Sequence, residues 1–579
     1  IFNSHSRMVF YKFGVFCALV FSARGDTGGW VEEFNEIKPA SVFTPTSTDA
    51  LSEFLKNNTQ PITVRSCGHS ISGTFKTPNS VMIDLGGHFR QTNLIKVFYN
   101  KDLDEWQARI PAAVRVLEAQ YALYNLTGTN TPNGPIPSLR LSGGKWSSVC
   151  AGGFYLGGGY GPDSRTEGIS CGLMRSVQVV LVNGMILEAN KTHHSDLFWA
   201  LRGGQGSFGV VTYMTVKLVP GESYDTQSAT ISWAPQSKDV LDGQFAFFNA
   251  WQKSMRNRFS TTTFCIQPSF GRNERGGSVM YQYGSTLSKH VPGACLQHEN
   301  SRIFNSVSRS QSLATTEVKE QTYGSMQFTL LEAECISTDV TPEVIEKCWG
   351  TNDPYHPQGT QKEPFGVRWQ GMYFENDMTE AEFGQIISLI SSYDDGSIPV
   401  DKLHMTSLCF MGEVAKEKTN VQDMAFDHNN ALYVVNTQAF FTNIKEKTKA
   451  LEFQSDILAT MSSFQGASNR TYQNFDNNGM SKWLEKSFGP RNLHRLQQIK
   501  TSVDPQNVIN HPRSIPPIND CTVGPVRACA SSAWGTPTAA ETSCINQLSS
   551  KCKAIGLRAA LVAVVRNQAN CSELCSIIN

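Results

Sequence analysis

Between Gly152 and Pro162 six of eleven residues are glycine: Gly152, Gly153, Gly157, Gly158, Gly159 and Gly161. Glycine at that density lets backbone approach a partner more closely than any side chain would permit, and a flat or phosphorylated ligand is such a partner. A second segment, Arg65-Ser66-Cys67-Gly68-His69-Ser70, directly follows the strand-like Ile62-Thr63-Val64. A glycine-bearing turn in that position aims backbone N–H groups at an anion such as a pyrophosphate, and here an imidazole lies in the same loop. A third segment is deceptive. Gly204, Gly206 and Gly209 have the G-x-G-x-x-G spacing of dinucleotide sites, but a helical stretch (Asp196–Leu201) precedes them and a strand follows. That order presents no helix N-terminus to phosphates, which excludes the nicotinamide-binding reading. Gly68-His69-Ser70-Ile71-Ser72 lacks the last glycine of a hydrolase nucleophile elbow. No Cys/His spacing resembles a zinc site, so no metal is expected.

At 579 residues the chain exceeds what one hydrophobic core supports, so two or more units are expected. Lys plus Arg equals Asp plus Glu at 50 each, with no basic block of the kind a nucleic-acid partner requires. Met8 opens a short basic region, and the apolar run Phe13–Phe21 is too short to span a bilayer, so residues 1–25 read as a secretory signal and leader. Secretion, with no membrane association after signal removal, agrees with the cysteine usage. Six of the 15 cysteines (Cys521, Cys529, Cys544, Cys552, Cys571, Cys575) fall in the last 59 residues and suit disulfides in an oxidising space. Asn57, Asn125, Asn190, Asn469 and Asn570 head glycosylation triplets.

The text is α+β. From 38 to 220, short helices alternate with β-rich runs: Asp49 precedes the helical spacing Leu51, Phe54, Leu55, and Ser80–Leu85 reads as a strand. Pro111 opens a helical pattern through Val114, Leu117, Tyr121 and Leu123. Asn183-Gly184 between two apolar runs signals a hairpin whose two central residues take positive φ. Residues 221–464 carry strand-like runs at Ser278–Tyr283, Phe328–Leu331 and Leu432–Asn436 and read as a second α+β unit. A helical stretch at Asn492–Thr501 falls in 465–518, and beyond Pro517 the Cys-rich tail 519–579, which includes the apolar Leu557–Val565, has no assigned role.

Taken in order, VRSCGHS, GGFYLGGGYGP, DLFWALRGG with FGVVT, YQNFD and DPQNVINHPRSIPP resemble the FAD-linked oxidases of the vanillyl-alcohol oxidase superfamily, in particular the berberine-bridge-enzyme-like group. The resemblance implies a two-part FAD-binding domain of the PCMH type, built from 38–220 and 465–518, with 221–464 inserted as the substrate domain. It also implies FAD joined at its 8α carbon to His69. Arg65, Ser66, Cys67, Gly68 and Ser70 would line the pyrophosphate, and Gly152, Gly153, Gly157, Gly158, Gly159, Gly209, Val210, Val211 and Asn474 would contact the cofactor. The implied reaction is hydride transfer from a small organic substrate, an alcohol, sugar or natural product, to flavin N5, with reoxidation by O2.

Departures from the pattern bear on mechanism. Where many members tie the flavin a second time through cysteine, the count falls on Trp146, and Cys150 lies four residues too late, so a single covalent bond is expected, with Cys150 a buried or paired thiol. Cys67 and Phe154 stand where the family has glycine and histidine. Phe475 replaces a tyrosine that often serves as base. Tyr472, three residues away, would point to the opposite face of an extended segment and substitute poorly. His428 and Glu413 are the other candidates for the base. The rival expectation is a flavin-binding protein that has lost turnover and serves as a binding or storage module.

Overall fold

The computed structural model describes residues 34, 36–144, 149–161, 164, 167–220, 225–232, 245–246, 248–249, 252–253, 269–273, 276–284, 315–322, 366–393, 403–409, 420–428, 431–441, 443–475 and 480–518. The expectations for 1–25, Trp146, Phe328–Leu331, Glu413, Asn570 and 519–579 lie outside these residues. The fold is α+β. Ser41–Phe43, Val81–Asp84 and Ile62–Arg65 form a parallel sheet with Val81–Asp84 in the middle. All four residues of that central strand are buried, as a parallel strand covered on both faces requires. Five antiparallel strands make a second sheet in the order Ile186–Asn190, Met174–Val180, Val210–Lys217, Glu105–Pro111, Lys96–Asn100. Its middle strand, Val210–Lys217, is buried at six of eight positions, which explains the continuous apolar run Val210-Val211.

The middle of the chain forms one seven-stranded antiparallel sheet, ordered Thr315–Thr322, Asp225–Ser232, Gly276–Gly284, Ser269–Asn273, Leu403–Cys409, Tyr433–Phe441, Gly366–Phe374. Helix Ile444–Ser462, capped by the Asn443 side chain accepting from Lys445 N and Glu446 N, buries Ala450, Phe453, Ile457 and Met461. Its Gln454 donates to the carbonyls of Arg368 and Thr437 on the sheet. The chain then returns to the first unit. Ile62 N donates to Val508 O at 2.8 Å, Ile62 and Ile509 form a parallel bridge, and Phe488, Leu496, Ile499, Ile509 and Ile515 share one core with Leu51, Ile83, Val179 and Val211.

Three local expectations need correction. Helix Thr48–Asn57 is capped by Ser47, whose hydroxyl accepts from Ala50 N, while Asp49 sits in the first turn, where its charge favours the positive end of the helix dipole. Pro111 ends the strand Glu105–Pro111, and the helix begins at Val116. Of the two hairpin residues only Gly184 has positive φ (+82°), because the connection from Val180 to Ile186 is longer than two residues.

The returning segment is locked by a fully buried ion pair. Lys500 Nζ lies 2.5 Å from Asp504 Oδ2 and also donates to the carbonyls of Ser207 and Ile509, while Asp504 accepts from Val508 N and Ile509 N. Lys500→Met leaves a buried carboxylate without its counter-charge and is expected to cost about 3–5 kcal/mol. Chemical denaturation checks this, and Thr501→Ala, whose hydroxyl is only part-buried, is the milder comparison.

Candidate active site

The loop after Ile62–Arg65 is anchored at both ends. Leu85 N donates to Arg65 O at 2.9 Å, and the buried Arg65 guanidinium pairs with Asp84 at 2.9 Å. At the far end Gly73 N donates to Ser70 O, and Ser70 Oγ accepts from Thr74 N. Between them Gly68 takes φ +69°, which turns the chain so that the half-buried His69 follows directly. The Cys67 side chain leaves the loop to form a disulfide with Cys150, at a Cα separation of 5.6 Å. Cys150 is the residue before helix Ala151–Leu156, which opens the glycine run.

That helix start is strapped to Ala112–Val116. Gly152 N donates to Ala112 O at 2.8 Å, Ala151 N to Val114 O at 2.9 Å, and Val116 N to Val149 O at 3.0 Å. A Cβ at Gly152 would sit 2.7 Å from Ala112 O and 3.2 Å from Ser66 Oγ, so this glycine brings the two segments together. Ala112 N in turn donates to Thr212 O, which ties in the strand that begins Val210-Val211; Gly209, just before it, packs on Val179 and the Val180 carbonyl. The His69 loop, the glycine run and the Gly209–Val211 segment thus converge on one backbone stretch.

Tyr472 and Asn474 lace the glycine run from the returning segment. The Tyr472 hydroxyl accepts from Gly159 N at 3.0 Å, Tyr160 N at 3.2 Å and the Asn474 amide at 3.0 Å. Asn474 also donates to Phe154 O, and its side chain fills the position a Cβ on Gly157 would need. Burial pushes the Tyr472 phenol up to about 12, even though these donors pull the other way, so it keeps its proton at neutral pH. Residues 472–475 form a turn, with Phe475 N donating to Tyr472 O at 3.1 Å. The expected opposite faces therefore do not occur. The two rings meet edge to face, with centroids 4.8 Å apart.

An aromatic layer joins this to the seven-stranded sheet. Phe475 packs edge-on against Trp369 at 5.9 Å and lies over Gly371, where a Cβ would come within 2.6 Å of its ring. Phe426 covers Gly158 and Gly203. His428, buried, stacks on Tyr373 at 4.1 Å and meets Phe426 at 4.9 Å. Burial and the Arg470 charge hold its pKa well below 6.5, against the opposing pull of the Gln473 side chain and the Ser487 backbone as acceptors. The imidazole is neutral over the physiological range.

The glycine run is packed by protein on one side and open at Gly153 on the other, which leaves room there for a flat ligand such as FAD. At Gly152, Gly157, Gly158 and Gly159 protein atoms already occupy the space a side chain would need, whereas nothing lies within 4 Å of a Cβ on Gly153. Gly153 is exposed, so open space remains beside the run. The loop carrying His69 adjoins the same stretch. Residues 39–190 match the family model described as FAD binding domain, and residues 471–516 match that described as berberine and berberine like. The FAD-linked oxidoreductase sorD of Penicillium rubens is 24% identical over 501 residues, covering 83% of this chain and 91% of that protein. Berberine bridge enzyme from Eschscholzia californica superposes with a TM-score of 0.65 at 20% identity, covering 84% of this chain and 91% of its own. Glucooligosaccharide oxidase from Acremonium strictum, described with a 6-S-cysteinyl, 8α-N1-histidyl FAD, gives 0.63 at 16% identity, covering 85% and 94%.

The chain carries an FAD binding domain over 39–190 and a berberine-like segment over 471–516, and along most of its length it is similar to FAD-linked oxidoreductases. The reading as a non-catalytic binding module is not favoured. Among the described residues no group of His, Cys, Asp and Glu could hold a metal ion, and no helix is long and apolar enough to cross a membrane. Sequence reasoning missed Trp369, Phe426 and the pairing of Cys67 with Cys150. A signal for the last existed: two cysteines stand at positions unusual for the family in two segments that the resemblance assigns to the same ligand.

Two neutral histidines, the buried His428 and the half-buried His511, make stability pH-dependent. His511 is likewise held down, to about 3, by burial and the Lys500 and Arg513 charges. Each has a folded pKa below its unfolded one, so stability is full above pH ~6.5 and falls as pH drops below it, by about 1.4 kcal/mol per pH unit for each group. Denaturation at pH 7, 6 and 5 should show this slope, and His428→Phe, which keeps a ring against Tyr373, should remove one proton's share. Tyr472→Phe deprives Gly159 N and Tyr160 N of their acceptor and is expected to cost about 1–3 kcal/mol and to weaken flavin retention.

Proposed function

We propose that this protein is a secreted oxidase that holds FAD through a single covalent bond to His69 and oxidises a small organic substrate, an alcohol, sugar or natural product. The observation that carries this reading is the convergence of the His69 loop and the glycine run on Ala112–Val114. Bound FAD supplies acceptance of a hydride from a substrate C–H and delivery of the electrons to O2. The N–H groups of the Ser66–Ser70 turn are the donors suited to its phosphates, whereas those of Gly152, Gly158, Gly159, Tyr160 and Gly161 are taken up by protein acceptors and hold the glycine run in place. Gly209, Val210 and Val211 lie at the start of the central strand of the five-stranded sheet, next to the same stretch. Cys150 is bonded to Cys67, and a sulfur in a disulfide has no thiolate with which to bond a flavin, which supports one tether in place of the two described for glucooligosaccharide oxidase.

The division of labour follows the same lines. Residues 38–220 and 465–518 form the cofactor unit, supported by their shared core, and 221–464 form the substrate unit, supported by their single sheet. Phe154, Phe426, Phe475 and Trp369 give the junction an apolar, water-poor wall suited to the ring of a flavin or the apolar part of a substrate. Of the two catalytic candidates, Tyr472 holds its proton and accepts three N–H bonds, which suits it to positioning the glycine run. His428 is unprotonated and is the group of the pair able to take a proton, although burial makes it a weak base. Secretion is supported by the disulfide and by Asn57, Asn125 and Asn469, which are exposed and available for glycosylation.

The purified protein should be yellow, with colour that stays in the pellet on acid precipitation. His69→Ala is expected to abolish pellet colour and to leave at most dissociable flavin. A colourless, folded wild-type protein would overturn the reading. Anaerobic bleaching by members of an alcohol and oligosaccharide panel, with recovery on admitting air, identifies the substrate class and the acceptor.

A further inference from the structure

Backbone hydrogen bonds fix the attachment loop at Arg65 and at Ser70, and His69 lies between these anchors. Cys67, two residues before it, is the point from which a covalent link leaves the loop for the glycine-run helix. Both sulfurs sit against the Ala113 carbonyl, Cys150 Sγ at 2.8 Å and Cys67 Sγ at 3.8 Å, and both residues are buried. The link spans 83 residues of sequence and joins the two segments that have to face one cofactor. Ser66, just before Cys67, meets Gly152, two residues past Cys150, so contact on one side and covalent bond on the other define a closed seam.

We propose that the Cys67–Cys150 bridge is a redox-dependent clamp that positions His69 for covalent attachment of flavin, so that the thiol state of this pair sets how much of the cofactor becomes covalently bound. The proposal rests on His69 being the attachment residue. Clamping is an exchange reaction: the two thiols give up two protons and two electrons to an external disulfide, which leaves as two thiols, and an external dithiol reverses the step. In the reduced state Cys67 is no longer held to Cys150. The short turn through Gly68, which as a glycine resists rotation least, is then freer to carry the imidazole out of line. Covalent attachment depends on near-contact geometry, so a displacement of about 1 Å is enough to slow it by about tenfold or more.

The experiment uses the full-length protein, purified with its flavin. Peptide mapping after alkylation without reductant tests the bridge, and acid-pellet flavin divided by total flavin tests the clamp. Cys67→Ser, Cys150→Ser and the double variant are each expected to lower that ratio by the same factor, about tenfold under limiting attachment time, because either thiol alone is useless. Cys67→Gly serves as the second replacement should the serine variants fold poorly. A bridge of purely structural importance would lower the melting temperature and leave the ratio unchanged. That outcome, or the absence of a Cys67–Cys150 linked peptide from oxidised protein, overturns the proposal. His69→Ala separates the two readings: if its pellet stays coloured, the attachment residue is wrong, whereas the linked peptide in that variant reports on the bridge alone.

Discussion

The backbone from Pro111 to Val116 is the constraint on which the site depends. Within these residues the carbonyls of Ala112 and Val114 accept from the glycine-run helix, Ala112 N donates to the central strand of the five-stranded sheet, Ala113 N donates to Phe89 O, and Ala113 O faces the two sulfurs. Ala112, Ala113 and Val114 are fully buried, so water cannot replace a lost partner. An unmet backbone group there carries the whole desolvation cost. Small side chains are required for the same reason, because three segments approach within hydrogen-bonding distance of one strand end.

The disulfide adds a different kind of stability to this junction. Hydrogen bonds act in the folded state, whereas a cross-link across 83 residues acts mainly by restricting the unfolded chain, on the order of 4–5 kcal/mol in the chain-entropy description. The returning segment is held by opposite means. Lys500 and Asp504 are fully buried charges whose hydrogen bonds to Ser207, Val508 and Ile509 satisfy them, and they fix where Ile509 meets Ile62. A buried pair of this kind contributes little net energy, while loss of either partner alone is costly. It is suited to a segment that has to find its place after some 250 residues of intervening chain.

Much of this was legible in the residues. The parallel strands Ile62–Arg65 and Val81–Asp84 announced themselves as short apolar runs, and the helix-then-strand order around Gly203–Val210 removed the nicotinamide reading. Pro111 misled because a proline suits the end of a strand as well as the first turn of a helix, and local pattern does not choose between them. Tyr472 misled for a related reason. Alternation holds only in extended backbone, and the hydrogen bond from Phe475 N to Tyr472 O makes 472–475 a turn. Contacts between distant segments, such as Phe475 over Gly371 or Tyr472 on Gly159, leave no periodic trace in a single sequence.

Replacement of polar groups by Phe154 and Phe475 gains meaning from what surrounds them. Phe154 packs against Gly144 and Gly159, and Phe475 against Trp369, Tyr472 and Gly371, so each ring fills a space shaped by glycine. Burial then works on the titratable neighbours in opposite directions, pushing the Tyr472 phenol up and the His428 imidazole down, because in both cases the charged form is the one that loses water. Both groups are therefore uncharged at neutral pH. An apolar wall that keeps its polar members neutral is compatible with hydride transfer, which moves a proton and an electron pair together and leaves no charge on the wall itself.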